Sequence, residues 1–164
     1  MALAAQARVF MTQQQALASA FPPGTKIVRQ SVFLTTDQQS SAKKASGVDF
    51  KDQLVVRYVG ADANGRVVGY AYFDTHRVRT LPETVMVVVT PEAKVAKIEI
   101  LSFDEPPEYL PKERWIDQVE GRRLDDDLSL KRAIRPLSGA SLSGRAIVNA
   151  SRKVLAIHGV IGVK

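Results

Sequence analysis

A loop of small residues near the C-terminus leads directly into an amphipathic helix, and this stretch is best suited to chemistry. Ser141 is predicted to be the N-cap, whose side chain accepts a hydrogen bond from a backbone N–H two or three residues later. The remaining free N–H groups and the positive end of the helix dipole favour an anion. Local chemistry therefore predicts either an ordinary capped helix or a phosphate site. The loop consists of Ser138, Gly139, Ala140, Ser141, Leu142 and Ser143.

These residues resemble the signature of the FMN-binding domain family. The family pattern is Asp-x-x-Ser-Gly-Ala-Thr, followed by a hydrophobic residue, Thr or Ser, and a helix. The family includes the C subunit of the sodium-pumping NADH:quinone oxidoreductase and the G subunit of the Rnf electron-transport complex. The resemblance implies that FMN is the cofactor and that residues 138–143 hold its phosphate. In many members a flavin transferase joins the final Thr to FMN by a phosphoester bond, and the matching hydroxyl here is Ser141.

Two positions depart from the family pattern. Ser141 replaces the usual Thr, but it carries the same nucleophilic oxygen, so esterification stays chemically possible. Arg135 stands where the family has Asp. A cation there can either abolish recognition by the transferase or pair with the phosphate of FMN that is bound without a covalent bond. The resemblance therefore leaves both covalent and non-covalent FMN open.

A polar, basic segment at residues 74–83 is predicted to connect two hairpins. It is either a plain surface connection or, as the resemblance implies, a loop that lies against the flavin. In the second case Arg79 would supply a cation for the reduced, anionic flavin, and Thr80 and Leu81 would contribute backbone contacts. His76 could belong to the same surface, although a lone His is more often a hydrogen-bonded structural residue.

A second segment, at residues 103–111, resembles a diverged form of the acidic, Pro-containing stretch of the family. Glu105 and Pro106 match that stretch best, which makes Glu105 a candidate cofactor contact. Its carboxylates lack the ligand alternation of a calcium loop, so no metal site is expected. Tyr109 and Trp115 are either core anchors or an apolar wall for the flavin.

Composition narrows the possible functions. The chain has 164 residues, a formal net charge of +6 and no cysteine, which excludes thiolate catalysis and iron–sulfur ligation by Cys. Lys and Arg are scattered along the chain, and no nucleic-acid module, Walker A sequence or Rossmann fingerprint is present. Catalytic residues of hydrolases and metalloenzymes are also missing. An electron carrier, in which the cofactor supplies the chemistry, is therefore favoured over a stand-alone oxidoreductase.

The order of periodic segments predicts an α+β fold. Hairpin following hairpin indicates an antiparallel twisted sheet, joined by N-terminal helices and the C-terminal loop and helix. Thr12 is predicted to cap the first helix and Thr35 or Thr36 the second. The resemblance to the family covers about residues 54–155. The predicted helices are 13–20, 36–46, 112–119 and 128–133 before the final one, and the predicted strands are 27–34, 54–59, 66–73, 84–89 and 94–103.

Residues 1–11 are predicted to be a leader, and residues 12–164 a single FMN-binding-like domain. The leader resembles the small-residue tail after a signal peptide or an anchor. We therefore expect a bacterial, periplasmic or otherwise extracytoplasmic domain in a membrane-associated complex, where it exchanges electrons with a partner protein. Two alternatives stay open: a flavin-free interaction module that keeps the fold, and a flavin reductase with its own small substrate.

Overall fold

A six-stranded antiparallel sheet forms the frame of the protein. The computed structural model describes residues 8–162. Neighbouring strands are antiparallel throughout, in the spatial order β1-β6-β5-β4-β3-β2. The predicted α+β class with an antiparallel sheet is therefore confirmed. The strands are β1 (Arg8–Val9), β2 (Lys26–Phe33), β3 (Leu54–Ala61), β4 (Val67–Arg77), β5 (Pro82–Val89) and β6 (Val95–Phe103).

Four α-helices accompany the sheet, and the caps of the first two follow from the sequence. Thr12 and Thr35 each accept a hydrogen bond from the N–H of a Gln three residues later, and that Gln side chain bonds back to the N-cap N–H. Both helices thus begin with a capping box, which satisfies two of the free N–H groups at each helix start. The helices are α1 (Gln13–Ala20), α2 (Thr36–Ser46), α3 (Glu113–Ile116) and α4 (Ser141–Ile161), and a short 3₁₀ turn covers Pro107–Tyr109.

The segment between β6 and α4 is less helical than the sequence predicts. The predicted helix at 112–119 is reduced to the single turn of α3, and residues 128–133 form turns instead of a helix. Lys131 adopts a left-handed backbone conformation with φ of 70°, which interrupts any right-handed helix. Asp125 accepts hydrogen bonds from the N–H groups of Asp127 and Leu128, so it shapes a turn.

The core lies mainly between the sheet and α4. Val85, Val87 and Val89 of β5 face the α4 side, where Ile147 and Val154 of the helix are also buried. The opposite face of the sheet packs against α1 in a smaller cluster that includes Met86 and Val88 of β5. Because consecutive residues of β5 are buried on opposite faces, this strand lies at the centre of the protein. Among residues 8–162, no helix is both long and apolar enough to cross a bilayer.

A row of titratable side chains fastens α4 to the β4–β5 hairpin. Lys153 Nζ lies 2.8 Å from one oxygen of Asp74, and the other oxygen of Asp74 lies 2.8 Å from Nδ1 of His76. Nε2 of His76 lies 2.8 Å from Glu83, whose side chain is fully buried. Burial lowers the pKa of His76, but the hydrogen bonds to Asp74 and Glu83 outweigh it and raise this pKa to about 9. His76 is therefore a charged structural residue at neutral pH.

This row of charges makes stability sensitive to alkaline pH. The pKa of His76 in the folded state, about 9, exceeds its ordinary value of 6.5. Its contribution is therefore complete below about pH 6.5 and is lost as the pH rises through about 9. We expect the free energy of unfolding of the wild type, relative to His76→Gln, to fall by about 2 kcal/mol across this range. Urea denaturation at both ends of the range measures the difference, and a pH-independent difference would contradict the assignment.

Candidate functional site

The first turn of α4 begins one residue earlier than predicted. Ala140, not Ser141, is the N-cap, with φ of −143° and ψ of 44°, and no side chain caps the helix. The prediction that Ser141 is the cap is therefore wrong. Gly139 has a left-handed φ of 74°, and the N–H of Ala140 turns back to the carbonyl of Leu137. This tight turn brings Ser141 inside the helix as its first residue.

The uncapped start of α4 leaves backbone donors available. Gly144 N–H bonds to the carbonyl of Ala140, so the first intrahelical bond is in place. The N–H groups of Ser141, Leu142 and Ser143 precede it and find no acceptor among the described residues. The first turn also contains no acidic residue. In contrast to α1 and α2, the positive end of α4 is thus open to an anion.

The loop and the first turn of α4 line a cleft of about 220 Å³, which we call the α4 cleft. Its opposite wall consists of Arg79 and Tyr109, and the Arg79 guanidinium lies 5.3 Å from the centre of the Tyr109 ring. The structure therefore brings Arg79 together with residues 139–143. Ser138 lies just outside and lines a neighbouring cavity. The hydroxyl-bearing Ser141 is exposed.

Glu105 holds the turn that carries Arg79. One oxygen of the Glu105 carboxylate accepts hydrogen bonds from the N–H groups of Arg79 at 3.0 Å, Thr80 at 2.8 Å and Leu81 at 2.9 Å. Burial raises the pKa of Glu105, but these three donors and the charge of Arg79 outweigh it and lower this pKa. Glu105, Thr80 and Leu81 thus act together as a clamp, and they do not line the α4 cleft.

Trp115 packs beside the loop and the first turn of α4. Its side chain is buried, its Nε1 donates to the carbonyl of Arg135 at 2.8 Å, and its ring packs against Gly144 of α4. Of the two interpretations of Trp115, the structure favours the core anchor. The indole also borders a cavity of about 840 Å³, the Trp115-side cavity, whose basic lining residues are Lys112, Arg114, Arg122 and Arg135. Arg135, at the family's Asp position, thus borders this neighbouring cavity and not the α4 cleft.

A second basic cavity lies on the other side of the first turn, towards α2. This α2-side cavity has a volume of about 650 Å³ and includes Ser141 in its wall. Arg152 is fixed there by hydrogen bonds to the carbonyls of Ser46 and Asp125, both at 2.7 Å. The basic residues of the lining are Lys131, Arg132, Arg145 and Arg152. Neither basic cavity is evident from the sequence, because these cations are spread over residues 112–152 and meet only in the fold.

His158 lies outside the lining of the α4 cleft. His158 is buried on α4 and shares a hydrogen bond of 2.8 Å with Tyr72, and burial lowers its pKa to about 4. His158 is therefore neutral at physiological pH. Within residues 8–162, no group of three or more His, Asp or Glu side chains is arranged to hold a metal ion.

Two glycines of α4 provide a matched test of the Trp115 contact. A Cβ on Gly144 would lie 3.0 Å from Cζ2 of Trp115, whereas Gly159 has open space around it. Gly159→Ala should stabilise the protein by about 0.5–1 kcal/mol through helix propensity. Gly144→Ala should destabilise it by about 1 kcal/mol, because the indole is held by its hydrogen bond and cannot move without strain. Thermal and urea denaturation measure both, and equal stabilisation would show that the contact is loose.

The Glu105 clamp can be tested by its removal. Glu105→Ala leaves the N–H groups of Arg79, Thr80 and Leu81 without their acceptor, and we expect a loss of about 2–3 kcal/mol in the free energy of unfolding. Because the pKa of Glu105 is lowered in the folded state, its contribution is present above about pH 4.5 and is lost as the pH falls through the folded pKa. Denaturation from pH 7 downwards should therefore show wild type and variant converging.

Comparisons with known proteins identify the family that fits this site. Residues 81–156 match the model of the FMN-binding domain, a region that contains Glu105, Trp115 and the loop at 138–143. The fold is similar to the crystal structure of Shewanella oneidensis NqrC, with a TM-score of 0.59 and 11% sequence identity, over 97% of this chain and 93% of that chain. No curated protein sequence matches the chain. The resemblance to the FMN-binding domain family is thus confirmed, and FMN is the cofactor that this family supports.

Proposed function

We propose that this protein is an electron-transfer domain that holds FMN with its phosphate at the first turn of α4. The observation that carries the proposal is the uncapped helix start, whose N–H groups at 141–143 open into a cleft closed by Arg79. Free N–H groups and the helix dipole together favour a phosphate. The match of residues 81–156 to the FMN-binding domain supports the same cofactor.

The walls of the α4 cleft suit the rest of the cofactor. Arg79 adds a positive charge that would favour the reduced, anionic form of a flavin. Tyr109 and the partly exposed side chain of Leu142 offer apolar surface next to that charge. FMN, when bound, supplies the one- and two-electron chemistry, while these residues orient it and limit its contact with water.

Ser141 is the proposed point of covalent attachment. Its hydroxyl is exposed and makes no hydrogen bond among residues 8–162, since the helix does not use it as a cap. An accessible hydroxyl beside three backbone donors is well placed for a flavin transferase to join it to the phosphate of FMN as a phosphoester, with the loss of one water overall. Arg135 differs from the Asp of the family pattern, so the transferase would have to accept a cation six residues before the acceptor.

The proposed setting is a bacterial, extracytoplasmic one. The similarity of the fold to NqrC supports a domain that works with other proteins. We place it in the periplasm, beside a membrane-bound redox partner. Fractionation of the source cells would test this location.

Substitutions at Ser141 give the sharpest test of the acceptor. Protein co-produced with a flavin transferase should gain the mass of one FMN less water and keep flavin absorbance after denaturation. Ser141→Ala should lose both signals completely, whereas Ser141→Thr, which restores the family residue, should keep them. Intact mass spectrometry and visible spectroscopy provide the readouts.

Ser138→Ala is the matched control, since Ser138 belongs to the same loop but lines a different cavity. Covalent flavin that persists in Ser141→Ala and disappears in Ser138→Ala would move the acceptor to Ser138. A wild-type protein that neither gains mass nor binds added FMN would overturn the proposed function and favour the flavin-free module.

A further inference from the structure

The site contains many more cations than one phosphate needs. The α4 cleft, the α2-side cavity and the Trp115-side cavity meet around the first turn of α4, and nine Lys and Arg residues line them. The linings contain two carboxylates, Glu108 and Asp126. Asp125 and Asp127 flank Asp126 in the chain, and Glu105 bonds to the backbone of Arg79; counting these three still leaves nine cations against five carboxylates.

These linings account for the whole net charge of the protein. The chain has 23 basic and 17 acidic residues, which gives its formal charge of +6. Without the nine basic and two acidic lining residues, 14 basic and 15 acidic residues remain, so the rest of the chain is close to neutral. The net excess of positive charge is therefore concentrated in one region, around the proposed cofactor.

Most of these nine charges are left uncompensated among the described residues; the exception is Arg79, whose charge acts on the Glu105 carboxylate. The ion pairs among residues 8–162 involve Lys43, Lys97, Lys153 and His76, and none of the lining residues. Arg152 and Arg122 donate their hydrogen bonds to backbone carbonyls, which leave a full positive charge in place. Concave walls of one sign concentrate the electric field and attract ligands of opposite charge.

We infer that the α2-side and Trp115-side cavities form a docking surface for an acidic redox protein. The inference rests on the proposed function, because the partner would exchange electrons with FMN in the cleft between the two cavities. The phosphate of FMN can offset one or two of the nine charges, and the remaining cations are available to an external anionic surface. Complementary charge across such a surface raises the association rate and orients the partner.

An acidic protein fits this surface better than an anionic membrane does. The cations line concave walls, which receive protruding carboxylates, and the large apolar side chains with high exposure lie mostly elsewhere. At the first turn of α4, Leu142 is a large apolar side chain that is 41% exposed. Phe33 and Leu54 are more exposed, at 73% and 50%, and they pair with each other on β2 and β3. Peripheral membrane binding combines basic charge with a broad inserted apolar face.

Two variants with equal net charge isolate the position of the charge. Arg114→Glu/Arg132→Glu reverses one cation at each cavity without changing a residue proposed to hold FMN. Lys26→Glu/Arg66→Glu reverses two exposed cations at β2 and the β3–β4 turn, far along the sheet from the first turn of α4. Each double variant lowers the formal charge by four. Labelled poly-L-glutamate, as a probe of acidic protein surface, is titrated into full-length wild type and both variants.

The same proteins, loaded with FMN and reduced, are then mixed with ferricyanide or tris(phenanthroline)cobalt(III). Each reagent takes one electron from the reduced flavin, and the two carry charges of opposite sign. Stopped-flow rates are measured from low ionic strength to about 0.15 M, where the screening length is about 8 Å.

We expect the wild-type rate with ferricyanide to fall with ionic strength and the rate with the cobalt complex to rise. At low salt, Arg114→Glu/Arg132→Glu should slow the ferricyanide reaction and weaken poly-L-glutamate binding on the order of tenfold. Lys26→Glu/Arg66→Glu should change both by less than about twofold. Equal effects of the two variants, with FMN still bound, would overturn the inference and leave the proposed function intact.

Vesicles containing phosphatidylglycerol provide the remaining arm. Vesicle binding is measured for the wild type and both double variants at about 0.15 M salt. If the wild type and Lys26→Glu/Arg66→Glu bind but Arg114→Glu/Arg132→Glu does not, the surface binds a membrane and the inferred protein partner is overturned. Failure of all proteins to bind FMN would instead contradict the proposed function.

Discussion

The unsatisfied first turn of α4 is the constraint on which the candidate site depends. Backbone N–H groups at 141–143 have no acceptor among the described residues, and a helix normally avoids this by recruiting a cap. Here α4 is held in position and cannot shift to a register in which a side chain would cap it. Its middle is buried against β5, Lys153 ties it to Asp74, and Arg152 ties it to the end of α2. The unsatisfied N–H groups at the helix start are unfavourable, and packing elsewhere in the protein compensates for their cost. Such local strain is common at binding sites.

The wall opposite this turn depends on a single carboxylate. Glu105 gathers three consecutive backbone donors, and this sets the direction in which Arg79 leaves the turn. The β4–β5 hairpin next to the turn is held by the hydrogen bond between half-buried His76 and buried Glu83. Both walls of the α4 cleft are thus fixed before any ligand arrives. A preorganised cleft loses little conformational entropy when an anionic cofactor binds, which favours tight binding.

Much of the fold could be predicted from local sequence, because the signals were local. Thr12 and Thr35 each stand three residues before a Gln, and the Asn-Gly step between β3 and β4 marks a tight turn. The family pattern led to the loop at 138–143 and to Arg79 and Glu105. Local sequence does not predict the contact between Arg79 and Glu105, because 26 positions separate them. Only the family resemblance suggested that these residues belong to one site.

The predictions that the structure contradicts failed because the deciding contacts are not visible in the local sequence. Ser141 was predicted to be the cap because Ser is a strong N-cap residue, but the left-handed Gly139 shifted the helix start by one position. The basic cavities could not be predicted, because their cations come from α4 and from the irregular segment between β6 and α4. The helices predicted in that segment are also wrong. No periodicity marks such a segment, and its shape follows from turns such as that at Lys131.

The central claim, that the first turn of α4 binds the phosphate of FMN, is tested most directly with two flavins that differ only in that group. Protein produced without a flavin transferase is titrated with FMN and with riboflavin, and binding is followed by flavin fluorescence and by calorimetry. We predict that FMN binds at least about tenfold more tightly, which corresponds to about 1.4 kcal/mol from the phosphate. Equal affinities for the two flavins would contradict the claim, because the helix start would then contribute nothing to binding.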